Sequence, residues 1–258
     1  MAYTDHGQGE VIVALHGCPG SVRDWRWLGA ALEPHFRVIR IDLPGFGETP
    51  LTVMPDASFQ ARARWIVELM AQMGIPRFAV MGHSAGGPLA LELAANHAEH
   101  VTGLILVGAP GLRPHRGIRD TPAIRRFSRW LRVPVLRTLL IPVLRAGFER
   151  AGFPKGIPAD ALRQSMHIIY ALSFPRQRAN VERVDVPTLV AWTEDDPFIE
   201  ADISAEFAAA FSGAEHAYFE DGGHYLQKTR STEIAQAVQR MLAGPSAADR
   251  SVPLGPDC

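Results

Sequence analysis

Phe78-Ala79-Val80-Met81-Gly82-His83-Ser84-Ala85-Gly86-Gly87 is the stretch that decides the fold. Four apolar residues of strand length run into Gly-x-Ser-x-Gly, and an Ala- and Leu-rich helix over residues 87–98 follows at once. Small residues on both sides of Ser84 permit a sharp turn and a close approach of helix to sheet, which leaves the hydroxyl exposed. The helix N-terminus favours negative charge developing beside it. Three fixed small positions in five arise often by chance. It is the strand before and the helix after that make Ser84 a candidate nucleophile rather than an incidental serine in a glycine-rich turn.

Working outward, Val11-Ile12-Val13-Ala14-Leu15 is an apolar run that stops at His16-Gly17-Cys18-Pro19-Gly20. Phe36-Arg37-Val38-Ile39-Arg40-Ile41 is a second strand, ending at Asp42-Leu43-Pro44-Gly45-Phe46-Gly47. Residues 24–32 and 57–73 read as helices; in the latter Ile66, Leu69, Met70 and Met73 share one face. Residues 101–107, 187–192 and 214–219 are further strands, and residues 199–210 and 231–242 further helices. Continuous apolar strands separated by helices predict a mostly parallel sheet covered on both faces. The rhythm breaks over residues 113–183, where helices are expected at 122–131, 135–150 and 159–172 and no good strand is found. Arginine recurs there from Arg113 to Arg150, between Phe127, Trp130, Leu136, Leu140 and Phe148. The expected organisation is a core over residues 1–112 and 184–243, a helical insertion at 113–183, and a loose tail at 244–258.

The 258 residues suffice for a large core without disulfide or metal staples. A formal net charge of −1 removes the argument for nucleic-acid binding from overall charge. Two cysteines, Cys18 and Cys258, build no disulfide framework and fit a reducing compartment. Residues 1–7 lack a basic n-region and an apolar h-region, so no signal peptide is expected. No apolar run is of membrane-spanning length, and a cytoplasmic protein, monomeric or homodimeric, is expected. Neither a dinucleotide fingerprint nor a P-loop is present, and no metal or other cofactor is expected.

A serine hydroxyl needs a base, and the base an orienting acid. His224, in Asp221-Gly222-Gly223-His224 just past the last strand, is placed where a loop can deliver it over the carboxyl edge of the sheet. The acid is expected after the strand ending at Trp192, where Glu194, Asp195 and Asp196 stand in one turn. Residue chemistry does not choose among the three. Backbone N–H groups of Ala85 and Cys18 are the candidate donors to an oxyanion. The Cys18 side chain reads as a small buried thiol rather than a second nucleophile.

Taken together, these four stretches, 16–20, 42–47, 82–87 and 222–224, resemble the α/β-hydrolase fold superfamily. The branch is the one with a helical cap, which holds small esterases, carbon–carbon bond hydrolases, epoxide hydrolases, dehalogenases and cofactor-free haloperoxidases. The resemblance covers residues 11–242. It implies about seven strands, with the leading strand missing or rudimentary, and a cap inserted after the sixth core strand. The family's usual Gly-x-x-Asp aligns with Thr193-Glu194-Asp195-Asp196, which implies Asp196 as the acid and Asp195 as the backup. Epoxide hydrolases and haloalkane dehalogenases use an aspartate nucleophile, so Ser84 argues against both activities.

The activity implied is hydrolysis of a carboxylic ester, with an apolar small-molecule substrate, through an acyl-enzyme. The alternatives are cleavage of a carbon–carbon bond in a vinylogous diketone, lactone, thioester or amide hydrolysis, and perhydrolysis. Binding without catalysis is a further class, against which an intact triad speaks. His83, Phe127, Trp130, Leu136, Leu140 and Phe148 are the expected lining of the substrate pocket.

Overall fold

The computed structural model describes residues 1–243 apart from 55, 57, 119–125, 128, 132 and 154. In chain order the elements are β1 (Tyr3–His6), β2 (Val11–Leu15), α1 (Arg26–Leu32), β3 (Arg37–Ile41), α2 (Phe59–Gln72), β4 (Phe78–His83), α3 (Gly86–Asn96) and β5 (Val101–Val107). Then come α4 (Pro134–Arg150), α5 (Ala159–Ala171), α6 (Phe174–Val181), β6 (Thr188–Thr193), α7 (Ala201–Ala209), β7 (Glu215–Phe219), α8 (Leu226–Thr229) and α9 (Ser231–Ala243). The strands form one seven-stranded sheet in the order β1-β3-β2-β4-β5-β6-β7, parallel throughout except for β1. This is the α/β-hydrolase fold.

The sheet is apolar because both faces are covered. Along β2, Val13 and Leu15 join the core formed with Ile66 and Met70 of α2 and Leu89 and Leu93 of α3. Ile12 and Ala14 point to the other face, against Leu28 and Leu32 of α1 and Ile234 and Val238 of α9. Each residue of β2 therefore has a side to bury, and no polar alternation is left along it.

The sheet has the seven strands expected, and its leading strand is rudimentary: β1, four residues long, pairs antiparallel with β3, Tyr3 opposite Ile41 and His6 opposite Val38. It is held by a bidentate Arg37–Asp5 pair, 2.9 and 2.7 Å, rather than by an apolar run, so its sequence carries no strand signature. The helical insertion follows β5. Among the described residues of 113–183 there is no strand, but a helix appears that the periodicity did not suggest. This helix, α6, lies against α3: Arg176 donates to both Glu92 oxygens at 2.9 and 2.6 Å, and Asn180 donates to Glu92 at 2.9 Å. Part of the helix expected over residues 122–131, and the whole tail at 244–258, lie outside the described residues. Among the described residues no helix is long and apolar enough to cross a membrane.

Candidate active site

Ser84 leaves β4 with a φ of 49°, the left-handed region that a residue with a Cβ occupies only when its surroundings force it. The forcing contacts are on both sides. A Cβ on Gly82 would overlap the Gly86 carbonyl, and one on Gly86 would overlap the Leu15 carbonyl. Helix α3 can thus start directly under the turn, with Gly87 N–H donating to Ser84 O at 2.8 Å. The hydroxyl is left at the carboxyl end of the sheet.

His224 Nε2 lies 2.9 Å from Ser84 Oγ, and its Nδ1 lies 2.8 Å from Asp196 Oδ2. The other Asp196 oxygen accepts N–H groups from Phe198 at 2.8 Å and Ile199 at 3.1 Å. Burial pushes this carboxyl up, but the bond and charge of His224 and the two N–H groups outweigh it and hold Asp196 below its ordinary value. It is ionised at neutral pH. The three carboxylates of the turn have different partners. Asp195 accepts from Gly223 N–H at 2.7 Å and Gly222 N–H at 3.3 Å, and Glu194 accepts from the Tyr218 hydroxyl at 3.2 Å. Asp196 alone of the three meets the imidazole.

The loop after β2 is fastened by His16, which is fully buried. Its Nε2 accepts Leu43 N–H at 3.0 Å, so Nδ1 carries the proton and donates to Gly17 O at 2.6 Å. Burial holds this imidazole neutral. Asp42 ties the neighbouring turn, accepting Val22 N–H at 2.7 Å and Glu48 N–H at 2.8 Å. These side chains keep residues 17–20 against Ser84. Cys18 and Ala85 line the same cavity as Ser84. Among the described residues neither of their N–H groups donates to a turn or loop carbonyl. Burial pushes the Cys18 thiol up to about 12, so it stays protonated and unreactive at neutral pH.

The cavity holds about 620 Å³. Its floor is Ser84, Ala85, Cys18 and His224, and its walls are mostly apolar, with Phe127, Phe148, Phe153, Met166, Ile169, Leu172 and Phe198 prominent. Of the expected lining, Phe127 and Phe148 are there. Trp130 and Leu136 face outward, 45% and 37% exposed, and Leu140 packs against the core instead. Helix α4 carries apolar residues on two opposite sides, so periodicity did not reveal which face turns inward. Met166 and Ile169, three apart on α5, were findable by that spacing; Phe198 and His115, on loops, were not.

His83 lies beneath the floor rather than in the wall. Its ring is buried, and Nε2–H donates to His224 O at 2.8 Å, tying the chain beside the hydroxyl to the backbone of the histidine it meets. Burial, and then the charge of His224, push His83 down to about 3. An unfolded histidine takes up its proton near pH 6.5, so between these values unfolding binds a proton and stability falls as pH falls. His83→Gln keeps an N–H for the His224 carbonyl and removes the titration. Urea unfolding of the two proteins between pH 6 and 4 is expected to show a shallower fall in the variant, by about 1.4 kcal/mol per pH unit. Parallel curves would show that His83 takes up a proton in the folded state.

Residues 10–137 match the family model of the alpha/beta hydrolase fold. This chain belongs to the α/β-hydrolase superfamily. The hydrolase is 26% identical over 249 residues to a 2-hydroxy-6-oxo-6-phenylhexa-2,4-dienoate hydrolase of Comamonas testosteroni, covering 90% of this chain and 87% of that one. It is 24% identical over 261 residues to a 2-hydroxy-6-oxononadienedioate/2-hydroxy-6-oxononatrienedioate hydrolase of Escherichia coli O139:H28, covering 94% and 91%. Among solved structures it superposes on the enol-lactonase of Burkholderia xenovorans LB400 with a TM-score of 0.74 and 21% identity, over 94% of this chain and 96% of that one.

Proposed function

We propose that this hydrolase cleaves esters of apolar carboxylic acids through an acyl-enzyme on Ser84. The observation that carries the reading is the continuous hydrogen-bonded line Ser84–His224–Asp196 opening into a cavity with apolar walls. His224 takes the Ser84 proton as Oγ attacks the carbonyl carbon, and Asp196 offsets the charge that the imidazole acquires. The Cys18 and Ala85 N–H groups receive the oxyanion. His224 protonates the leaving alcohol, then takes a proton from the water that releases the acid. Helices α4 and α5 serve as the cap of a core made of residues 1–112 and 184–243, and closing the cavity strengthens these electrostatic terms by excluding water. The residues in these roles need no metal or redox group.

The names of the two relatives favour a second reading, carbon–carbon bond cleavage in a dienoate. Such a substrate carries a carboxylate, and among the described lining residues the guanidinium of Arg116 is the cationic side chain positioned for it. A panel of apolar esters, lactones and ring-cleavage dienoates assayed side by side separates the two. The ester reading expects the best kcat/KM on an apolar ester, unchanged within about threefold in Arg116→Gln, since no charge is recognised. A dienoate preferred at least a hundredfold, about 2.7 kcal/mol of transition-state discrimination, and lost in Arg116→Gln would replace it with the second reading.

A further inference from the structure

The solvent face of α4 is apolar. Val135, Leu139 and Val143, spaced by four residues, are 71%, 66% and 61% exposed, and Trp130 and Val133 extend the stripe beyond the helix N-terminus. The opposite face is the one that packs: Ile141 and Leu144 are buried, and Leu144 and Phe148 reach the substrate cavity. Helix α4 is therefore apolar inward and outward, which a free surface helix is not. Val143 is both exposed and part of the cavity lining, so the stripe runs to the lip of the cavity.

Charge decides what covers this face. Among the described residues from 126 to 150 the charged ones are Arg126, Arg129, Arg137, Arg145, Glu149 and Arg150, in a chain whose net charge is −1. Arg126 and Arg129 stand exposed at one end of the stripe and Arg150 at the other. A second copy pairing through the stripe about a two-fold axis sets arginine against arginine whichever way the helices run. An anionic headgroup layer meets both ends at once.

We propose that the outer face of α4 docks on an anionic phospholipid surface. The helix lies in the plane of the interface, with Val135, Leu139 and Val143 at the acyl boundary and Trp130 and the arginines at headgroup level. The cavity mouth beside Val143 then opens toward the lipid phase, a source of apolar substrate. That last consequence rests on the ester reading of Ser84; the docking does not.

The test is cosedimentation of the full chain with vesicles of phosphatidylcholine alone and of phosphatidylcholine mixed with phosphatidylglycerol. The wild type is expected to bind the mixed vesicles and to be released by salt. The double variant Val135→Ser, Leu139→Ser is expected to bind roughly tenfold more weakly or less, and the triple variant Arg126→Ser, Arg129→Ser, Arg150→Ser to lose the preference for the anionic vesicles. All these positions are exposed and none lines the cavity, so hydrolysis of a short soluble ester is the check that both variants fold. Failure of the wild type to sediment with mixed vesicles overturns the proposal. So does a homodimer, seen by light scattering, that the double variant dissociates while vesicle binding is absent; the face then serves a second copy. Vesicle binding without hydrolysis of any ester by the wild type leaves the docking standing and removes the ester reading.

Discussion

Ser84→Ala is expected to lower kcat on an apolar ester by a factor on the order of 10⁶, because serine, histidine and carboxylate of such a line act as a unit. The variant keeps its Cβ in the same left-handed turn, so the elbow and the cavity stay as they are and only the oxygen is lost. A serine-directed fluorophosphonate is expected to add one adduct to the wild type, mapped to Ser84, and none to the variant. Intact mass spectrometry reads this directly. A wild type that takes no adduct, together with a variant of full activity, would remove Ser84 from the chemistry.

Asp196→Asn is the second large effect, a fall of about 10⁴ in kcat, the scale set by the same change in other serine hydrolases. The local bonding says how the loss arises. Oδ1 of Asp196 is taken by the Phe198 and Ile199 N–H groups, so an asparagine keeps its carbonyl there and turns its NH₂ toward His224 Nδ1. The imidazole must then carry its proton on Nε2, facing Ser84, and has no lone pair to accept the hydroxyl proton. Asp195→Asn removes charge from an exposed group bonded to backbone, and less than a tenfold change in rate is expected. Steady-state rates of the two variants decide between the neighbours. Near-equal activity of Asp196→Asn and wild type would move the orienting role to Asp195 or Glu194.

The parallel sheet was legible because β2, β4, β5 and β6 each carry an unbroken apolar run, a pattern that burial on both faces demands. The Ser84 turn was legible because glycines are needed where the Leu15 and Gly86 carbonyls approach it. Strand β1 was not, since four mostly polar residues become a strand only when β3 offers its edge. Spacing along the chain could not choose among Glu194, Asp195 and Asp196, because a tight turn sends adjacent side chains in different directions. The wall of the cavity was the least readable part. Which side of α4 faces inward depends on what packs beneath it, and a helix with apolar residues on opposite sides does not say.

The turn at Glu194-Asp195-Asp196 gives the histidine two separate supports. Asp195 bonds the backbone just before His224, at Gly222 and Gly223, and Asp196 bonds its ring. One pair of neighbouring residues thus sets both where the loop stands and how the imidazole is rotated. A point substitution disturbs one of these while the other persists. The insertion or loss of a single residue in the turn shifts both carboxylates at once and leaves the loop and the ring without their partners. The length of this short segment is therefore as much a part of the site as the two carboxylates it carries.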